Sequence, residues 1–213
     1  LRAKIKIKQL LFNAGLWYPL NRLRRIPEIL RWFRTGHSGA APHPVKMLVV
    51  ESYLKKFRLD YFLETGTYLG ETLGYIARRG LQCISIELSP ELCRQAQIRF
   101  KHCKNIKLFQ GDSSQILPGL LGQINKPVLF WLDGHYSGGI TATAETHTPI
   151  NAELKAILGH PVKQHVILID DAHCFDGTND YPYLDDLLRL IREDGCYSVE
   201  VSMDIIRLTP KKG

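Results

Sequence analysis

The stretch Tyr61-Phe62-Leu63-Glu64-Thr65-Gly66-Thr67-Tyr68-Leu69-Gly70-Glu71-Thr72 constrains the fold more than any other part of this chain. Tyr61 to Leu63 is a short apolar run of the kind a buried strand uses. Gly66 and Gly70 break it, and residues 71–79 can continue as a helix. A strand that turns through glycines into a helix N-terminus leaves free backbone N–H groups beside an open crevice. The spacing here is acid-x-Gly-x-x-x-Gly-x-Thr, not the Gly-x-Gly-x-x-Gly of a dinucleotide pyrophosphate loop. An acid ahead of the first glycine repels a pyrophosphate but can hold a cationic amino group.

Strands and helices alternate on either side of this stretch. Further strands are expected at Cys83–Glu87, Ile106–Phe109, Val128–Leu132 and Val166–Ile169, with a closing pair, Tyr197–Val201 and Ile205–Leu208, around a Met203-Asp204 turn. Helices are expected at Val45–Phe57, Ile150–Leu158 and Leu184–Ile191, and Ser89-Pro90-Glu91 reads as a helix start with Ser as N-cap and Pro in the first turn. The pattern predicts an α/β, Rossmann-like fold, a mostly parallel seven-stranded sheet with helices on both faces.

Ligands of open α/β sheets bind beyond the carboxyl ends of the strands. Five of the expected strands end in or just before an acid: Glu64, Glu87, Asp112, Asp133 and the pair Asp170-Asp171. One such acid is an ordinary turn residue, but five converging on one rim call for a common explanation. Glu87 follows Glu64 at close to the ~20-residue offset at which an acid grips ribose hydroxyls. Asp112 is placed either to accept from an adenine amino group, with the Ser113 N–H beside it, or to cap the helix that begins at Ser114. Asp170 and Asp171 are either metal ligands or turn caps.

The first motif resembles that of the class I S-adenosylmethionine (SAM)-dependent methyltransferases. Glu64–Thr72, Glu87, Asp112 and Asp133 match, in order, four successive motifs of that fold over about residues 45–210. The resemblance implies SAM as cofactor, held by Glu64, Gly66, Thr67, Gly70, Thr72, Glu87, Asp112 and Ser113. Asp133 with Asp170 and Asp171 further resembles the metal triad of Mg²⁺-dependent O-methyltransferases of the catechol and sugar-modifying type, which implies Mg²⁺ at these three acids and a catalytic role for Asp133. The segment Gly134–Thr141 departs from the sugar enzymes. His135 is the candidate general base, Tyr136 a weaker one, and His147 and His173 lie near the same rim in sequence. The expected function is a SAM-dependent O-methyltransferase acting on a sugar, a glycan or another small hydroxylated acceptor. The alternatives are an RNA methyltransferase and a non-catalytic, membrane-associated SAM-fold binding module.

The net charge of +7 is unevenly spread. Nine Lys or Arg and one acid, Glu28, fall in residues 1–34, leaving 19 basic and 20 acidic residues elsewhere. A near-neutral body argues against a broad nucleic-acid face. The organisation read from this is a basic amphipathic arm over 1–34, a Gly- and Pro-containing linker over 35–44, and the catalytic domain over 45–213. In the arm, Ile26, Ile29, Leu30 and Phe33 fall at helical spacing among arginines. An anionic membrane surface, a nucleic acid, and packing on the domain or on a second subunit all remain open partners for it, the membrane favoured over nucleic acid by Trp17, Tyr18, Trp32 and Phe33. Five cysteines without a Cys-x-x-Cys indicate neither a disulfide framework nor a zinc knuckle, and the expected location is cytoplasmic, peripheral at the membrane.

Overall fold

The computed structural model describes residues 25–36, 40–134 and 148–211. Among them α1 spans Ile26–Arg34, α2 His43–Phe57, β1 Tyr61–Thr65, α3 Glu71–Ala77, β2 Gln82–Glu87, α4 Pro90–Phe100, β3 Ile106–Gln110 and α5 Ser113–Leu121. After them come β4 Leu129–Leu132, α6 Ile150–Leu158, β5 Val166–Ile169, a 3₁₀ turn Ala172–Cys174, α7 Leu184–Asp194, β6 Tyr197–Ser202 and β7 Ile205–Pro210. The strands form one seven-stranded sheet in the order β3-β2-β1-β4-β5-β7-β6. The first five are parallel, and β7 runs antiparallel to both β5 and β6. The expected fold class is therefore observed.

Strand alternation builds two cores. Leu63, Phe130, Leu132, Ile167 and Ile169 face Leu117, Leu121, Leu154, Ile157, Leu187 and Ile191 of α5, α6 and α7. Their strand neighbours Phe62, Leu129, Trp131, Val166 and Leu168 face Val50, Leu54, Leu73, Ile76, Ala96 and Phe100 of α2, α3 and α4. All four residues of β4 (LFWL) and of β5 (VILI) are buried, as strands covered on both faces require. Several boundaries shift from the expectation, α7 running on to Asp194 and α3 ending at Ala77, and α2 begins at His43, two residues early. Pro42 and Pro44 mark its start, because proline has no N–H to leave unsatisfied in a first helical turn.

The sequence places Asp133 and Asp170 at the same level of the sheet, and the register agrees: Leu132 pairs with Ile169, and the Asp170 N–H donates to Leu132 O at 3.0 Å. The strand order reverses between the parallel strands β1 and β4, which creates the switch point at which α/β sheets open a crevice. All five cysteines are free thiols. No helix among the described residues is long and apolar enough to cross a membrane.

Away from the crevice, a buried imidazole pair in the α6–β5 connection ties the end of α5 to the residue before β4. The Val128 N–H donates to His165 Nδ1 at 3.1 Å, so the His165 proton sits on Nε2 and is donated to His160 Nδ1 at 2.9 Å. His160 then donates from Nε2 to Leu121 O at 3.1 Å. The chain works only with both rings neutral. Burial, with His160 and Lys163 nearby, pushes His165 down to about 4. A folded-state pKa below the unfolded value means full stability above about pH 6.5, lost progressively as pH falls toward 4. The stability gap between wild type and His165→Gln, measured by urea unfolding, should shrink by ~2 kcal/mol between pH 6.5 and 4.5. A gap independent of pH would show that His165 is not held neutral.

Candidate active site at the strand carboxyl ends

The turn after β1 is fixed by backbone contacts. Gly66 has φ 84° and its N–H donates to Ile86 O at 2.9 Å. A Cβ there would lie 2.3 Å from the Asp133 carbonyl oxygen. Gly66 is thus required where β1 and β4 pack against each other, a stronger reason than the ligand approach suggested by the sequence. Gly70, at φ 66°, precedes the first residue of α3, and a Cβ on it would meet the Phe100 ring at 2.8 Å. Between them Tyr68 takes φ 46°, a left-handed conformation unusual for an aromatic residue, and its N–H donates to Glu87 Oε2 at 2.7 Å.

The acids after β1, β2 and β3 gather on one side of this turn. Glu64 is 1% exposed and accepts from Ser85 Oγ at 2.8 Å. Since Ser85 gives its proton to Glu64, Thr67 Oγ1 donates in turn to Ser85 Oγ at 2.5 Å. Burial drives the Glu64 carboxyl well above the usual range; the Ser85 bond pulls against it and the Asp133 and Glu87 charges add to it. Glu87 accepts from two backbone groups, Tyr68 N–H on Oε2 and Ser89 N–H at 2.9 Å on Oε1. Asp112 caps α5, its Oδ1 accepting from the Ser114 N–H at 2.8 Å. The capping alternative is therefore realised at Asp112, using one of its two oxygens. Ser113 is buried behind it.

The second group lies after β4 and β5. Asp133, Asp170 and Asp171 offer carboxylate oxygens within 4.8 Å of one another. Asp171 takes φ 53°, and its N–H donates to Asp170 Oδ1 at 2.9 Å. Burial and the Asp133 charge raise the Asp170 pKa, and Lys46 pulls it back. The Lys46 ammonium lies 2.6 Å from Asp170 Oδ1 and 3.0 Å from Asp171 Oδ1. Thr72 does not stand alone either: its Oγ1 is 3.0 Å from His43 Nε2. His173 turns to the β6–β7 turn, where its Nδ1 is 2.7 Å from Asp204 Oδ2 and its N–H donates to Asp204 Oδ1 at 2.8 Å. His135, Tyr136 and His147 lie outside the described residues.

Three residues at this rim were not singled out by the sequence. His43 and Lys46 are three apart on α2, hence on one helix face, and both reach the crevice. Burial lowers the His43 pKa against the pull of Glu71, so the ring is neutral, and its Nδ1 is buried without a hydrogen-bond partner. The third is Glu153 of α6, 1% exposed, with Oε1 unpartnered. Burial pushes its carboxyl up to about 7, opposed by the Ser113 and Thr65 hydroxyls and reinforced by Asp112 and Asp133. Glu153 lines a small cavity with Asp133, Gly134, Thr148, Asp170 and Tyr181. A larger hollow, bounded by Gly74, Arg78, Phe100 and His102, contains no acid and shares no residue with the rim.

The packing at Gly66 has a measurable consequence. Gly66→Val sets a β-branched side chain at positive φ against a backbone carbonyl, so it should destabilise the protein by about 3 kcal/mol or more in chemical denaturation. A variant as stable as wild type would show that the β1–β4 contact can relax.

No family model matches the chain, and no curated protein matches it in sequence. Solved structures do match in fold. The S-adenosylhomocysteine (SAH)-bound methyltransferase PaMTH1 of Podospora anserina superposes with a TM-score of 0.58 at 18% identity, over 87% of each chain. An SAH-bound O-methyltransferase from Bacillus cereus gives 0.60 at 16%, over 87% of this chain and 90% of that one. The O-methyltransferase TomG of Streptomyces achromogenes, involved in tomaymycin synthesis and solved with SAM, gives 0.56 at 15%, over 87% of each. The chain thus has the class I methyltransferase fold.

Proposed function

We propose that this chain binds SAM on the β1–β3 side of the crevice and transfers its methyl group to a hydroxyl oxygen of a small acceptor, a sugar, a glycan or another hydroxylated compound, held on the β4–β5 side. The observation that carries this reading is the division of the rim acids. Glu64 and Glu87 flank the glycine turn and Asp112 caps α5 beyond β3 on the same side of the sheet's switch point, while Asp133, Asp170 and Asp171 cluster across the β1–β4 seam from them. Each Glu87 oxygen accepts one backbone N–H and retains capacity for a ribose hydroxyl. A cationic amino group arriving near Glu64 would favour its ionised form. The remaining Asp112 oxygen, beside Ser113, is free for an adenine amino group.

Methyl transfer needs an aligned and nucleophilic oxygen, because the cofactor itself supplies the electrophile. The donor set at the second group fits a hard divalent ion such as Mg²⁺, which prefers carboxylate oxygens. Asp133, Asp170 and Asp171 would hold it, and when bound it supplies Lewis acidity that lowers the pKa of an acceptor hydroxyl. We assign proton removal to His135, two residues after Asp133 in the chain.

Calorimetry with SAM tests the cofactor half. Wild type should bind, and Glu87→Gln, which replaces a charged acceptor of ribose hydroxyls with a neutral one, should weaken binding ~10-fold or more. Unchanged affinity in that variant would remove Glu87 from the cofactor site. Labelled methyl uptake across sugars, glycans, phenols and RNA then tests the acceptor; uptake into RNA alone would favour the RNA methyltransferase reading.

We further propose that the arm brings the enzyme to anionic membrane surfaces from the cytoplasmic side. Supporting this, α1 exposes Ile26, Leu30 and Phe33 at 43%, 50% and 55% while Trp32 is buried. Arg31 and Arg34 flank the apolar stripe, and Arg25 anchors the helix through Glu71 at 3.3 Å. A helix of this kind lies in the interface with its apolar side down and its cations among lipid headgroups. Binding to phosphatidylserine-containing vesicles should weaken as salt rises, and Leu30→Asp with Phe33→Asp should abolish it. Point substitutions are preferable to removing the arm, since Trp32 belongs to the packed interior. Equal vesicle binding by the double variant would exclude α1 as the contact.

A further inference from the structure

The acid cluster at the β4 and β5 ends already has a cation beside it. Lys46 reaches in from the first turn of α2, 125 positions upstream of Asp171, and its ammonium sits 2.6 Å from Asp170 Oδ1 and 3.0 Å from Asp171 Oδ1. Only 12% of the Lys46 side chain is exposed, against 5% and 18% for its partners. A lysine is rarely this buried without a specific charge to meet, because desolvation of an ammonium is expensive unless carboxylates compensate. An ion bound to the same two oxygens at the ~2.1 Å that Mg²⁺ demands would lie within about 5 Å of that ammonium. Two cations so close, in a site largely shielded from water, repel strongly.

We propose that Lys46 is the resident cation of the Asp133–Asp170–Asp171 cluster, occupying the place of a divalent ion, and that such an ion enters only by displacing it. The inference rests on the reading of this cluster as the acceptor end of the crevice. An ammonium carries three N–H donors. Two are accounted for by Asp170 and Asp171, and the third remains for an acceptor oxygen. Lys46 is in this respect a positioning group: it holds the carboxylates together and presents a hydrogen-bond donor, where a metal would present an open coordination position. A lysine donor orients a hydroxyl without lowering its pKa as far as a divalent ion does, so the ammonium-filled and metal-filled states differ in how much work is left to the general base.

Two measurements on the full chain test this with Mn²⁺ and Mg²⁺ as probes. In the first, Mn²⁺ binding is followed by electron paramagnetic resonance in wild type, Lys46→Met and Lys46→Arg. Lys46→Met should bind Mn²⁺ at least 10-fold more tightly than wild type, and Lys46→Arg, which keeps the charge, as weakly as wild type. Equal affinity in all three, or no binding in Lys46→Met, would overturn the proposal. The second uses wild type alone and so survives a variant that does not fold. Lys46 should resist an amine-acylating reagent, read by mass spectrometry, and become reactive when Mg²⁺ is added to saturation. Metal binding that leaves Lys46 protected would mean that ion and ammonium coexist, which the proposal forbids. SAM calorimetry on wild type reports on the function reading separately, so failure of either idea is distinguishable from failure of the other.

Discussion

Every feature of the crevice follows from the difficulty of keeping carboxylates together away from water. Glu64, Glu87, Glu153 and Asp170 are each at least nine-tenths buried, and Asp112, Asp133 and Asp171 border them. Ionised carboxylates so crowded would drive the sheet ends apart. The fold resolves this in three ways. Glu87 is satisfied by backbone N–H groups and Asp112 by the start of α5. Asp170 and Asp171 are met by an ammonium from α2. Glu64 and Glu153 have no counter-charge and are raised in pKa, as Asp170 also is despite its ammonium. The carboxyls left to shift are those with a reason to respond when a cation arrives.

Much of this was legible in the sequence. Glycine breaks, apolar runs of strand length and acids at their ends locate β1 to β5 within a residue or two, because each signal is local and repeats. The metal-type triad was legible for the same reason, since Asp133 and Asp170-Asp171 directly follow runs that can only be buried strands. What escaped was the partner on the other element. His43 sits in the stretch whose prolines suggested a linker, although proline in a first turn is also a helix start, and Lys46 lies just inside the helix expected from Val45. Nothing local announces that a lysine far upstream will meet an aspartate; that contact exists only once α2 packs across β4 and β5. Glu153 was hidden because an acid in a short helix is ordinarily a solvated one.

Helices α1 and α2 also change how the N-terminal part is understood. Composition separates a basic arm from a neutral body, yet Arg25 meets Glu71 at the first residue of α3, and His43 meets Thr72 one residue later. The arm helix and the glycine turn therefore share the start of α3. On the proposed function, an event at the arm, such as lipid binding, has a direct route through the Arg25–Glu71 contact to the motif that the rest of the chain is built around.

On the proposed function, the close approach of Gly66 to the Asp133 carbonyl joins the side of the crevice that takes the cofactor to the side that takes the acceptor without any intervening side chain. In a transfer reaction the length that matters is the gap between donor carbon and acceptor oxygen, and thermal motion of long side chains would smear it. On that reading the gap is gauged by two backbones too close to admit a Cβ between them. Such a gauge has no rotamers to sample, so it tolerates wide variation in the residues that grip either substrate while the span between them stays constant.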